Sequence, residues 1–527
     1  MRITTKVIQK NQLNNINTNK LLQDKLSQQM TTGKVINRPS EDPIVAIRAL
    51  RLRSNVSQVT QYYEKNAPDA EHWLEVTEGA LTTMNDVVTD MIRQCTDGAN
   101  EYLELEDRET ILDALKALRD EVYSTGNADY AGRTLFTGYR TDMKLTFIEN
   151  TVRKYSMVEQ VDSSFLDEIT HVESGELNTL NSTNFESTNP DIAGIVEQDV
   201  AASKIYRFRT SYDNLDDVAP KLQVFKEIDA ATGEYVFEDL LVNNAALQVS
   251  NMSIYEDGAY LDVGANEVRM LRETGEILLG EDVYKALVAL EDNPATIENE
   301  AEIRFTYEKS NWKDGDLRPE HYFACVGEDP DDATKTISYN RDYLQGIMEK
   351  QAIEYDVGLN QTIRVNTTAD EVFYHAIGRD VDDMIRAMED SATMLKVIEE
   401  IEGMLKSGKY TPDQQDTLNQ QLEAAKKASA LLNEKTQKLY EAGITKMQGH
   451  LDNLNYAVTS VGTRSKRLEL VSNRLMSQQT SYETLQSENE DVDIAEVAVQ
   501  LTTADLTYNT ALAATGKILQ TNLMNFI

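Results

Sequence analysis

Thr32-Gly33-Lys34-Val35-Ile36-Asn37-Arg38-Pro39-Ser40-Glu41-Asp42-Pro43 reads as a joint between two helices. Gly33 suits an αL cap at the end of the helix before it, and Pro39 and Pro43 each restrict the backbone. Asp42 is placed to cap a new helix whose first position is Pro43, where no donor is lost. The bend is stiff, so the chain on its two sides forms separate helices.

Upstream of the joint, Ile3, Val7, Leu13, Ile16, Leu22, Leu26 and Met30 make a weak helical stripe. Downstream the period strengthens. Leu74, Thr77, Leu81, Met84, Val88, Met91 and Cys95 alternate in threes and fours with Thr77 alone polar, the seam of a long packed helix. Ile111, Leu115, Leu118 and Val122 repeat the pattern, and Ile377, Val381, Met384, Met388, Leu395 and Ile398 mark a further helix. Thr411-Pro412-Asp413-Gln414 is a helix start, with Thr411 and Gln414 forming a capping box around Pro412. The longest seam runs Ile444, Met447, Leu451, Leu454, Val458, Val461, Ser465, Leu468, Ser472, Leu475, Gln479, Tyr482. As a helix it is about 57 Å long, more than a compact domain requires. An elongated molecule is expected.

Between about 150 and 370 the helical period fades. Short alternating segments appear at Tyr206-Arg207-Phe208, Ile303 to Tyr307 and Ile363-Arg364-Val365, separated by turn pairs such as Thr232-Gly233, Asp257-Gly258 and Asp314-Gly315. These predict one or two β-containing domains inserted into a helical stalk.

The 527 residues carry 89 Asp and Glu against 51 Lys and Arg, a formal net charge of -38, which argues against nucleic acid and anionic membrane as partners. Residues 1–40 are nonetheless basic and residues 490–527 acidic, so the two ends attract. Two cysteines, Cys95 and Cys325, exclude a disulfide scaffold and a zinc ribbon. No apolar run has the length of a membrane span or of a signal-peptide core, so any export is expected to proceed without a cleavable signal.

At the C-terminus Val497, Leu501, Ala504, Tyr508, Ala511, Thr515 and Ile518 continue the 4,3 spacing, flanked by Leu512, Leu519, Leu523 and Phe526. Two lone amphipathic helices bury little. The expectation is that the ends pair and that neighbouring copies cover their remaining faces. Closure of an intramolecular core is the competing explanation, and a membrane-surface helix has the wrong charge.

The joint resembles, nearly residue for residue, the GKRINRPSDDP signature of the flagellar hook-filament junction (FlgL, hook-associated protein 3) family within the flagellin superfamily. Ala131 to Gly138 is similar to that family's GRYLFAG segment, Glu490 to Glu496 to its ENVDMAEA joint, and Ile518 to Ile527 to its ending KIMQPSLLDFL. Flagellin itself is the near competitor, but its bend resembles INSAADDAAGLAI, whereas Arg38-Pro39-Ser40 and Pro43 stand here.

The resemblance implies a mainly α, elongated flagellin-like helical rod built from both chain ends. Residues 1–42 and 488–527 would form an inner terminal coiled-coil assembly domain, 43–205 and 371–487 a long-helix rod domain, and 206–370 the inserted β-rich outer domain or domains. It implies a secreted, structural axial protein of the bacterial flagellum at the hook-filament junction. The partners would be a ring of its own copies, the preceding hook-associated protein, flagellin, and an export chaperone with the type III export apparatus. Flagellin, the filament subunit, is the alternative. The assembly residues would be Ile3, Val7, Leu13, Ile16, Leu22, Leu26, Met30, Gly33, Arg38, Pro39, Ser40, Asp42 and Pro43 in the N-terminal helix and joint. In the C-terminal helix they would be Val497, Leu501, Ala504, Tyr508, Leu512, Ile518, Leu519, Leu523 and Phe526.

No enzyme is expected, and no catalytic, cofactor-binding or metal residue is assigned. His72, His171, His321, His375 and His450 are dispersed, and no G-x-S-x-G, Walker A or G-x-G-x-x-G motif occurs. The acidic loop Glu328-Asp329-Pro330-Asp331-Asp332 lacks EF-hand ligand order and reads as solvated. A binding or hydrolytic module in the insert is the remaining alternative of a different class.

Overall fold

The computed structural model describes residues 5–100, 103–185, 195–228, 235–243, 245–256, 258–290, 302–329, 334–345 and 351–524. The turn pair 232–233, Asp257 and the acidic stretch 330–332 lie outside them. Eight α-helices occur among the described residues: α1 (Thr5–Thr32), α2 (Pro43–Gln61), α3 (Ala67–Gly98), α4 (Leu105–Thr125), α5 (Glu281–Val288), α6 (His375–Lys406), α7 (Pro412–Glu490) and α8 (Ile494–Met524). Eleven strands build two sheets: β1 (Thr151–Val161), β2 (Leu166–Glu173), β3 (Ala201–Arg209), β4 (Lys221–Ile228), β5 (Tyr235–Asp239), β6 (Gln248–Met252), β7 (Glu267–Leu271), β8 (Glu276–Leu279), β9 (Ile303–Trp312), β10 (Ala324–Glu328) and β11 (Thr336–Tyr339). The molecule is mainly α with a β-rich middle, and two units divide it. The first comprises residues 1–71, 355–363 and 466–527, the second 72–354 and 364–465.

In the second unit the helical seam is buried as its spacing requires. Leu74, Thr77, Leu81, Met84, Val88, Met91 and Cys95 of α3 are all inaccessible to solvent, as are Tyr440, Met447, Leu454 and Val461 of α7 and Ile377, Val381, Met384 and Met388 of α6. Each fully buried Leu or Met in that row contributes about 1.5–3 kcal/mol. Thr77 is tolerated because its hydroxyl donates to the Trp73 carbonyl one turn back, at 2.8 Å. Two further side chains in the seam are set by contact: the Cys95 Sγ sits 3.5 Å from Met384 Sδ, and burial pushes the thiol up to about 12.

The sheets of this unit run in the orders β6-β7-β8-β3-β2 and β11-β10-β1-β9-β4-β5, antiparallel throughout except for the β6–β7 pair. The Phe208 and Phe305 rings stack between the two sheets at 4.0 Å, and Trp312 packs on Phe147, Tyr155 and Tyr212. The strands of these two sheets begin at Thr151, where the helical period of the sequence fades. β1 places Glu159 on its inward face, where the Tyr307 hydroxyl and the Ser211 amide bond its carboxylate. A carboxylate at a core position hides the alternation from a reading based on hydrophobicity.

The insert is tied to α6 by buried charges. Arg207 of β3 pairs with Glu276 of β8 and, at 2.5 Å, with Asp383 of α6; Arg209 reaches Asp383 and Asp380, also at 2.5 Å. Arg386 closes on Asp383, while Lys446 and His450 of α7 stand 3.1 and 3.2 Å from Asp380. Burial raises the Glu276 carboxyl, but the Arg207 and Arg386 charges outweigh it and hold the group at about 2. Asp383 is likewise held well below the usual carboxylate range by Arg207, Arg209 and Arg386 against its burial.

In the first unit α2 continues into α3 through a π-helical turn, Tyr62–Asn66. Pro68 follows that turn and has no amide to donate one turn back. The wider turn, in which the Ala67 amide reaches the Tyr62 carbonyl, accommodates the proline ring without breaking the helix. The strand pair Glu354–Gly358 and Gln361–Arg364 packs there: Asn66 Nδ2 donates to the Asp356 carbonyl at 2.7 Å, Tyr355 bonds Asp69, and Arg474 bonds Gln361.

Candidate assembly interface

The site is built where both chain halves leave the helix within a few residues of each other. α1 ends at Gly33, whose φ of +69° is the left-handed conformation an αL cap needs. Asp42 restarts the chain: its Oδ1 accepts from the Ile44 and Val45 amides at 2.9 and 3.2 Å, with Pro43 at the first helical position. On the other half α7 ends at Glu490, and Asp493 caps α8 by accepting from the Ala495 and Glu496 amides.

These two breaks are stitched to each other. The Val35 amide donates to the Glu490 carbonyl at 2.8 Å, and the Val492 amide to the Gly33 carbonyl at 3.0 Å. Side chains lock the bridge. Arg53 grips the Glu490 carboxylate through Nε at 2.7 Å and Nη2 at 2.6 Å, while Lys34 Nζ lies 2.6 Å from Asp491 Oδ1 and 3.6 Å from Glu490. The hydrogen bond from Arg53, with the Lys34 charge behind it, lowers the Glu490 carboxyl, and the bond from Lys34 lowers Asp491. Gln29 Nε2 caps the Val35 carbonyl at 2.7 Å, and Asn489 Nδ2 reaches the Val45 carbonyl at 3.2 Å.

From this clasp α1 and α8 run together. Val497 and Ala504 are buried with Leu26 in one small cluster that Val492 and Leu501 border, and Tyr508, Ala511 and Thr515 continue the row half-buried. The α8 stripe therefore faces α1. The α1 side of the seam is different from the apolar stripe read in the sequence. It consists of Gln12, Ile16, Asn19, Gln23 and Leu26 in strict 4,3 spacing, all half-buried or buried, with Gln23 Nε2 donating to Asp505 at 2.9 Å. Of the apolar stripe only Ile16 and Leu26 enter the seam. Val7, Leu13, Leu22 and Met30 are exposed, as is Leu512 of α8. The signal that locates this seam is the 4,3 spacing itself with Asn and Gln admitted as members.

α1 thus turns three amide side chains into the seam beside Ile16 and Leu26, and the pair leaves other apolar side chains outward. Leu21 (71% exposed) and Leu13 (57%) on α1 join Val499 (67%) and Leu506 (68%) on α8. Arg38, Pro39 and Ser40 are exposed on the joint, where the Glu41 amide bonds the Arg38 carbonyl at 3.0 Å. Ile3 and Phe526 lie outside the described residues, and so do the side chains of Ile518, Leu519 and Leu523. Among the described residues no group of three His, Cys, Asp or Glu is arranged to hold a metal ion, and no helix is long and apolar enough to cross a membrane.

Residues 3–141 match the family described as the bacterial flagellin N-terminal helical region, and residues 444–527 match the bacterial flagellin C-terminal helical region. The stitched joints lie inside the two matched stretches. Among individual proteins, the chain is similar to flagellar hook-associated protein 3 of Salmonella typhimurium, 28% identical over 187 residues that cover 34% of this chain and 58% of that one. It is also similar to flagellar hook-associated protein 3 of Escherichia coli, 27% identical over 143 residues covering 27% and 45%. The chain spans about half the length of the curated relatives it matches. Among solved structures, a putative flagellar hook-associated protein from Vibrio parahaemolyticus aligns over 86% of this chain and all of that one, at 14% identity and a TM-score of 0.33.

Proposed function

We propose that this chain is a structural axial protein of the bacterial flagellum, a hook-filament junction subunit whose terminal helices hold it in a ring of its own copies. The observation that carries this is the α1–α8 pair: α1 gives Gln12, Asn19 and Gln23 to the seam while Val7, Leu13, Leu21, Val499 and Leu506 face water. Helices of this kind gain most when neighbouring copies cover the outer faces. The joint signature and the similarity to hook-associated protein 3 favour the junction over the filament.

In this reading residues 1–42 and 488–527 form the inner assembly domain, the long helices a second domain and the β-rich middle an outward one. The partners are the preceding hook-associated protein on one side and flagellin on the other, with a chaperone and the type III export apparatus before assembly. No catalytic role is assigned. Deletion of residues 1–35 or of 490–527 is expected to leave a folded chain by circular dichroism and to abolish filament growth in cells that lack the intact chain. Undiminished filament growth with either deletion would refute the assembly role. The alternative, filament subunit, is supported by the flagellin-type regions at both ends. It requires that the purified chain polymerise into long tubes when seeded with filament fragments.

A further inference from the structure

α2 has two unlike faces. Ala46, Ala49 and Val59 are buried, whereas Ile44, Ile47 and Leu50 stand in water beside the exposed Arg48 and Arg51. The C-terminal joint is the electrostatic opposite. Leu485, Ile494 and Val499 are exposed there, among the exposed Glu483, Glu488 and Glu496.

Charge bookkeeping within the first unit makes the two surfaces complementary. The clasp consumes two cations, Lys34 and Arg53, and two carboxylates, Glu490 and Asp491. Around the N-terminal joint stand the exposed cations Arg38, Arg48 and Arg51 beside one exposed carboxylate, Glu41, whereas around the C-terminal joint the exposed charges Glu483, Glu488, Asp493 and Glu496 are all acidic. Arg38, Arg48, Arg51, Glu483, Glu488 and Glu496 have no oppositely charged partner among the described residues. An apolar centre with a charged rim is the composition of an interface, and opposite rims on one chain suit a heterologous, head-to-tail contact between copies.

We propose that the α2 surface of one copy, Ile44, Ile47 and Leu50 with Arg48 and Arg51, docks on the α7–α8 joint of the next copy, at Leu485 and Ile494 with Glu488 and Glu496. The assignment rests on the assembly role proposed above and names the surfaces that meet.

The test is reciprocal charge reversal in the full chain, expressed in cells that lack the native copy. Arg48→Glu with Arg51→Glu makes both surfaces acidic; Glu488→Lys with Glu496→Lys makes both basic. Each double variant alone is expected to lower filament number about tenfold or more, because like charges then face each other at every contact. Co-expression of the two lets acidic and basic copies alternate and is expected to restore filaments to within about twofold. Circular dichroism of each purified variant checks folding, and the native-like cross-link between Ile47→Cys chains and Ile494→Cys chains, mixed in equal amounts, reports the contact directly; the native Cys95 and Cys325 are buried. Normal filament number with either single set, no recovery on co-expression, or absence of the mixed cross-link in appendages would each overturn the contact. If the terminal deletions abolish filaments while the reversals do not, this contact fails and the assembly role stands.

Discussion

The Val492 amide donates to the Gly33 carbonyl at 3.0 Å, joining residues 459 positions apart where each chain half leaves its helix. Backbone groups at helix ends lack intrahelical partners, so each break supplies what the other needs. The bridge also sets the register in which α8 runs along α1.

Replacing Glu490 by Gln removes the charge that Arg53 and Lys34 hold. Hydrogen exchange at the Val35 and Val492 amides is expected to speed up in the variant, with α3 unchanged. In the unaltered chain the Glu490 carboxyl is lowered by folding, so its contribution is fully present above the ordinary carboxylate range and is lost as pH falls through the folded value. Opening of the clasp on acidification, measured by exchange at the same two amides, checks the sign. Acceleration at rising pH beyond the intrinsic exchange rate would contradict it.

Asp42→Ala leaves the Ile44 and Val45 amides without their acceptor. A loss of about 0.5–2 kcal/mol at the start of α2 is expected, read as faster exchange over the first turn. Asp42→Asn keeps an acceptor and is expected to recover most of it.

Arg207→Met leaves the buried Glu276 without its ion-pair partner, while Asp383 keeps Arg209 and Arg386, and we expect a cost of about 3–5 kcal/mol in urea unfolding of the second unit. A variant that also carries Glu276→Leu should cost less than Arg207→Met alone, since the stranded charge is removed. Glu276 sits at about 2 in the folded chain, below its unfolded range. Its stabilising contribution is therefore complete above about pH 5 and declines as pH falls toward 2. A chemical-denaturation series across that window tests this, and a flat profile would exclude it.

Asn19→Leu places an apolar side chain in the α1–α8 seam. The lone chain is expected to gain protection along both helices in hydrogen exchange, by the transfer of a half-buried side chain worth about 1 kcal/mol. If the seam faced elsewhere, the substitution would leave protection unchanged.

The legible part of the fold was the part whose signal is local. Leu74 to Cys95 declared a buried helix face through spacing alone, and Thr411 and Gln414 announced the start of α7, where Gln414 Oε1 accepts from the Thr411 amide at 2.8 Å. Tyr206 to Phe208 and Ile303 to Tyr307 fell in strands. β1 was harder to see because Glu159 occupies a core position that only Tyr307 and Ser211, remote in sequence, make tolerable.

Capping, helical period and the stiffness of Asp42-Pro43 are properties of a few neighbouring residues, and the amino-acid order by itself determined them. Whether an amide such as Gln23 belongs in a seam, and which carboxylate Arg53 holds, depends on groups hundreds of residues away. Polar side chains are accepted inside only where a partner meets them, so the tertiary structure alone decided the clasp, the α1 seam and the buried charges that bind β3 to α6.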